Sequence, residues 1–276
     1  MMTTNTQQTQ QNMNEEGILL AQVVQIIQSA GQRLKERYSA GARPRNAENL
    51  VAALDANDAA SLDILRDALS AARPGAQWAE DEVEGGMLPA GEWWIVDPVE
   101  GNINHIHGME DWSVTATLVR DNIPVLTAIY LPLSGQTYTA IRGHGAWLNG
   151  SRLHASVKTA LNTALVATGQ AKPGEGKETY RRIGQSVTAM LEAALVVRVS
   201  VPATSQLLHV AAGSMDAFWQ FSNVRSGLVA GALLAAEAGA IVTDTHGRPW
   251  TLASDNFLAS APAVHADAVA VLCTIV

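Results

Sequence analysis

The sequence predicts a mixed α/β (α+β) protein, and three observations carry that prediction. Helical spacing of apolar residues fills 18–38 and 57–72, a block of β-rich runs occupies 77–153, and helices then alternate with short strands to the end of the chain. With 276 residues, 47% of them hydrophobic and 16% charged, there is enough chain for one large domain or two smaller ones sharing a core.

Taken in order, MMTTNTQQTQQNMNEE lacks the basic start and apolar core of a secretory signal, and residues 1–14 read as a disordered Gln/Thr/Asn tail. From Ile18 to Tyr38, the residues Leu19, Leu20, Val23, Val24, Ile27, Ala30 and Leu34 recur at intervals of three and four, the pattern of an amphipathic helix. ARPRNAENLVAALD (42–55) reads as a loop and a short strand. A second helix is expected from Asn57 to Ala72, with Leu62, Leu65 and Leu69 on one face and Pro74 beyond its end. WWIVD, WSVTATLV, PVLTAIYLP and QTYTAIRG read as strands, with Trp93 and Trp94 as strand core. The short links RDNIP (120–124) and LSGQ (133–136) predict antiparallel pairing. After 153, helices are expected near 177–195, 204–213, 228–238 and 264–273, and strands near 196–200, 216–220 and 240–243. That alternation predicts a mostly parallel sheet. The expected organisation is an N-terminal half (15–153) and a C-terminal half (154–276) forming one compact unit.

A net charge of −8 and a pI near 5.3 argue against a nucleic-acid partner or a polybasic membrane patch. No stretch approaches the ~20 consecutive apolar residues of a membrane span, so a cytoplasmic protein is expected by default. Cys273, the only cysteine, rules out an intrachain disulfide and a thiolate zinc cluster, and reads as a small buried hydrophobe. An anionic substrate stays compatible with the acidity, because a divalent cation held by carboxylates inverts the local field.

Chemistry concentrates in WWIVDPVEGNINHIHG (93–108). An apolar strand ends at Asp97; Pro98 has no N–H and forces a turn; Glu100 follows closely enough for both carboxylates to face one cation. Glu80, in WAEDE (78–82), can approach from a neighbouring strand, while Asp81, Glu82 and Glu84 read as solvated acids. Oxygen ligands of this kind suit Mg²⁺. Gly101 lets backbone approach a ligand, and a helix beginning at Asn102 would aim free N–H groups at an anion. His105 and His107 could line the same cleft. Ser205 and His209 lie one helical turn apart but lack the acid a hydrolase triad needs.

DPVEGNIN resembles the DP-(I/L)-DG-T-x-N signature of the inositol monophosphatase family of magnesium-dependent, lithium-sensitive phosphatases. WAED (78–81), NLVAALD (49–55), YTAIRGHGAWLNGSRL (138–153) and AAEAGAIVTDTHGRPW (235–250) resemble further family segments in the same order. The resemblance implies a layered αβαβα sandwich and a homodimer. It implies one Mg²⁺ on Glu80, Asp97 and the Val99 carbonyl, and a second on Asp97, Glu100 and a later aspartate. Attacking water would be oriented by Asn102 paired with Asp55, with phosphate on the N–H groups of Gly101 and Asn102. Two such metals clamp the attacking and leaving oxygens of phosphoryl transfer to water.

Departures gather at this site. Glu100 replaces an aspartate, Asn102 replaces a threonine, and the family's metal-binding aspartate, ten residues before Glu237, falls on Gly227. Among substrate-bordering positions, a G-(S/T)-A turn falls on Val201-Pro202-Ala203 and a glutamate on Gln220. His107 gains interest if Gly227 leaves a gap. One metal site is therefore expected to survive and the second to be doubtful. Three readings follow: a phosphatase for a small phosphate ester with a weakened second site, a redirected enzyme acting on an anionic metabolite, and a non-catalytic ligand- or protein-binding relic.

Overall fold

The N-terminal layer is two helices, α1 (Met2–Arg37) and α2 (Ala47–Ala72), packed on each other and on one face of a seven-stranded sheet. The structure is a computed structural model describing residues 2–80, 86–172, 174–222 and 224–275; Asp81, Glu82 and Glu84 lie outside the described residues. Helix α1 reaches back through the stretch expected to be a disordered tail. Residues 2–16 contain no Gly or Pro, so nothing in the sequence interrupts it.

NLVAALD (49–55) is not a strand: it forms the first turns of α2. Asn46 caps that helix, its side-chain oxygen accepting from the Asn49 N–H at 2.8 Å, and Glu48 sits in the first turn. Val51 is the only β-branched residue of the segment, and alanine favours helix.

The seven strands run in chain order, β1 (Gln77–Trp78), β2 (Glu92–Glu100), β3 (Ser113–Arg120), β4 (Ile123–Leu131), β5 (Gln136–Ile141), β6 (Ala146–Leu148) and β7 (Ser151–Arg152). All neighbours pair antiparallel except β1 with β2. Between β2 and β3 lies a short helix, α3 (Asn102–Ile106). The second sheet is ordered β11-β12-β10-β8-β9, from β8 (Leu165–Thr168), β9 (Val196–Val199), β10 (Ala217–Gln220), β11 (Ile241–Thr243) and β12 (Phe257–Ser260). It is mostly parallel, as expected, with one reversal: β8 pairs parallel with β9 and β10, and β12 alone runs against its neighbours β10 and β11. The antiparallel β12 follows β11 without an intervening helix, so no crossover returns it parallel.

Helices α5 (Ala203–Ala211) and α6 (Arg225–Glu237) fill the space between the sheets, and α4 (Lys177–Ala193) and α7 (His265–Leu272) cover the far side of the second one. The result is the αβαβα sandwich. Its first seam buries Val23, Ile27, Leu34, Leu65 and Leu69 against Trp94, Leu118 and Leu126, each fully buried; each such side chain contributes about 1.5–3 kcal/mol. Trp94 is core, as expected, whereas Trp93 is half-buried and its indole N–H donates to the Pro89 carbonyl at 2.9 Å. Cys273 is exposed rather than buried, because the chain leaves α7 just before it. Among the described residues, no helix is long and apolar enough to cross a membrane.

Candidate active site

Strand β2 delivers the two carboxylates. Asp97 pairs with Thr115 and Glu100 with Ser113, so three steps on β2 match two on β3, and the irregularity sits at Pro98, which has no N–H for the ladder. Both side chains are thereby aimed into the sandwich. Gly101 follows in the left-handed region (φ 82°, ψ 30°), and a Cβ there would lie 2.6 Å from the Asp111 carbonyl oxygen and 3.0 Å from Pro202 Cγ; only glycine fits. Asn104 ties the turn down by donating to the carbonyls of Asp111 (2.9 Å) and Val201 (3.0 Å). This brings the N-terminus of α5, where Ala203 is buried, beside the motif.

Asp97 and Glu100 are neighbouring carboxyls that act on each other electrostatically. Burial is the first reason that both carboxyls titrate above their ordinary range, Glu100 well above it, with the charge of Asp97 adding to the shift on Glu100. Opposing this, the Val99 N–H donates to Asp97 Oδ1 at 3.1 Å, Ser226 bonds Asp97, and donor groups of Thr204 face Glu100. Gly227 lies directly opposite: a Cβ on it would be 3.5 and 3.6 Å from the two Glu100 carboxylate oxygens. The Glu100 carboxylate borders the space that an aspartate side chain at 227 would enter, whereas His107 is half-exposed with Nδ1 2.7 Å from the Ile103 carbonyl.

Helix α2 supplies the other wall. Leu54, Asn57, Asp58 and Ser61 recur at three- and four-residue spacing and face the motif. Ser61 Oγ donates to the Pro98 carbonyl at 2.8 Å. Asn102 Nδ2 donates to the Leu54 carbonyl (3.1 Å) and to Asp58 Oδ1 (2.8 Å), and Asn102 Oδ1 accepts from Asn57 Nδ2 at 2.9 Å. Asp55, expected to pair with Asn102, is exposed and does not; in a helix rather than a strand end, the residues presented to Asn102 are Asn57 and Asp58. Burial, then the nearby charge of Asp97, pushes the Asp58 carboxyl from 3.8 up to about 6. The sequence signal for this face was a polar stripe at 57, 58 and 61 among Ala and Leu.

Three further residues sit in a different geometry from the one expected. Glu80 is exposed and held in a two-bond fork by Arg66 of α2 (3.0 and 2.5 Å), whose guanidinium also stacks 5.0 Å over Trp78; the pairing lowers the Glu80 carboxyl. His105 is buried, edge-on to Tyr38 and Trp112, and borders a cavity between the end of α1 and α2 rather than the two carboxylates. Its Nε2 lies 3.1 Å from the Leu34 carbonyl, which can only accept, so Nε2 carries the hydrogen and Nδ1 accepts from Asn57 at 2.9 Å. Gln220 is also buried, its amide donating to the Ser222 carbonyl at 2.8 Å. Asp97, Glu100, Gly101, Asn102 and Gly227 are thus brought together, while Asp55 and Glu80 stand apart. Among the described residues, no three His, Cys, Asp or Glu side chains converge as a metal-holding group.

Comparison with known proteins agrees with the fold and the motif segments. The model of the inositol monophosphatase family matches residues 16–275. The chain is 34% identical over 185 residues to the inositol-1-monophosphatase of Rhizobium meliloti, covering 67% of this chain and 69% of that one. It is 33% identical over 168 residues to the Nus factor SuhB of Pseudomonas aeruginosa, covering 60% and 61%. Among solved structures it is similar to the extragenic suppressor protein suhB of Bartonella henselae, with a TM-score of 0.76, 27% identity, and coverage of 92% of this chain and 98% of that one.

Proposed function

Because this chain belongs to the inositol monophosphatase family, we propose that it receives a small phosphorylated or anionic metabolite beside the Gly101 turn, with two-metal ester hydrolysis impaired. The family acts on small phosphorylated substrates and is generally magnesium-dependent. The side chains present here do not fit a two-metal arrangement. Glu80 is engaged by Arg66, Asp97 and Glu100 are engaged with each other, and Gly227 offers no carboxylate.

The observation that carries the reading is the Glu100 carboxylate facing Gly227, beside Asp97, where the family places a metal-binding aspartate. Catalytic groups must be held within about 0.5 Å of productive geometry, and the added methylene of Glu100 exceeds that. Losing a charged ligand removes several kcal/mol of transition-state stabilisation, or about 10²–10⁴ in rate. What persists is a left-handed glycine turn leading into α3, with Asn102 anchored on α2, which supports binding more than turnover.

The test is phosphate release from inositol-1-phosphate and a panel of small phosphate esters with magnesium. Release near background by the wild type, rising in a Glu100→Asp/Gly227→Asp double variant, is expected. Efficient magnesium-stimulated turnover by the wild type, lost in Asp97→Asn, would contradict the reading.

A further inference from the structure

Residues 33–45 hold Arg33, Lys35, Arg37, Arg43 and Arg45 against one acid, Glu36, in a chain whose net charge is −8. The segment is the end of α1 and the loop behind it, and the fold bends it around a cavity of about 260 Å³ lined by Arg37, Arg43, Pro44, Asn49, Asn57 and His105 among others, with no carboxylate in the wall. Among the described residues, neither Arg37 nor Arg43 has an ion-pair partner, whereas Arg66, Arg73, Arg120 and Arg248 all do.

Both guanidinium groups are held in place without being neutralised. Arg37 donates through Nε to Asn57 Oδ1 at 3.0 Å, leaving its terminal nitrogens for another acceptor. Arg43 spends Nη1 on the carbonyls of Ala40, Ala42 and His107 and keeps Nε and Nη2. The loop is clamped from the other side as well. Tyr38 donates to the Gly108 carbonyl at 2.9 Å, and a Cβ on Gly108, which sits at φ +67°, would lie 2.5 Å from the Ala40 carbonyl oxygen and 2.7 Å from Arg43 Nη1. Two pre-positioned forks over a cavity without a counter-charge are an arrangement suited to phosphate or carboxylate.

We propose that this cavity is a second anion site, which takes the phosphate or carboxylate group of a small metabolite between Arg37 and Arg43. It is separate from the Gly101 turn and joined to it through Asn57 and through α3, which supplies His105 to the cavity wall. Asn57 forms the cavity wall and accepts from Arg37, and its amide donates to Asn102 of the motif. An anion drawing on Arg37 therefore acts on the residue that holds Asn102.

Calorimetric titration of the full chain with inorganic phosphate and, separately, citrate tests this. Arg37→Gln and Arg43→Gln are each expected to weaken binding by at least about tenfold, while Arg152→Gln, far from the cavity, leaves it unchanged. The preferred anion of the two identifies the group that the cavity takes. A second measurement needs no variant: phosphate is expected to slow modification of Arg43 by an arginine-selective dicarbonyl in the wild type, with Arg152 as the unprotected reference. Binding that survives both substitutions but disappears in Gly101→Ala would place the anion at the motif and overturn the second site while leaving the proposed function standing. No binding of either anion, or no protection of Arg43, would also overturn it.

Discussion

The two ends of α6 treat a carboxylate in opposite ways. At the C-terminal end, the two Glu237 oxygens accept from the backbone N–H groups of Gly143 and Gly145, each at 2.8 Å. At the N-terminal end, Glu100 faces Gly227 beside a second carboxyl, Asp97. One end pairs a single carboxylate with two donors; the other sets two carboxyls side by side among the donors of Val99, Thr204 and Ser226. Local conflict of this kind, on a scaffold otherwise consistent from propensity to packing, marks where function was built or rebuilt.

The largest expected effect comes from adding charge at the conflicted end. Gly227→Asp places a third carboxylate in contact with Glu100 and should cost about 2–4 kcal/mol of stability. Shortening the opposite residue in Glu100→Asp/Gly227→Asp should recover most of that loss. Urea denaturation of the four proteins of the cycle reads the coupling, and additive effects would break the contrast between the two ends. At the other end, Glu237→Ala strands two backbone donors and should cost about 1–3 kcal/mol, measured the same way.

A smaller, pH-dependent effect is expected at Asp58. Its folded-state value of about 6 lies above the ordinary 3.8, so the folded state holds the proton more tightly. That contribution to stability is present below about pH 4 and is lost as pH rises through about 6. Asp58→Asn does not titrate, so the variant should gain on the wild type across that window. Denaturation midpoints that run parallel from pH 4 to 7 would contradict the assignment. Smallest of all, Arg66→Ala removes an exposed ion pair and should change stability by less than about 1 kcal/mol. It leaves Glu80 without its fork, so any cation affinity that depends on Glu80 should rise in this variant.

The layered fold is legible because amphipathic helices and short-linked strands leave strong periodic signals; β2 to β5 and the C-terminal part of α1 lie where the spacing puts them, whereas the first turns of α1 fall in the stretch expected to be a disordered tail. Strand direction leaves no such trace, so the reversal of β12 within the otherwise parallel second sheet is not visible in the spacing. The motif turn was legible too, since Asp97-Pro98 and Gly101 constrain backbone locally. Its partners were not. Read as a strand, NLVAALD presents Asp55 to the motif; as the helix it forms, it presents Asn57 and Asp58 to Asn102. The orientation of Glu80 depends on Arg66, fourteen residues earlier on α2, a contact that tertiary packing makes and spacing along the chain does not reveal. Gly227 is legible as a missing ligand, but its placement opposite the Glu100 carboxylate is not.

The most direct measurement is calorimetric titration of Mg²⁺ and Mn²⁺ into the wild type, Asp97→Asn, and Glu100→Asp/Gly227→Asp. The Glu100–Gly227 contact predicts no saturable binding by the wild type and a gain of binding in the double variant. Tight binding by the wild type, abolished in Asp97→Asn and not improved in the double variant, would contradict it.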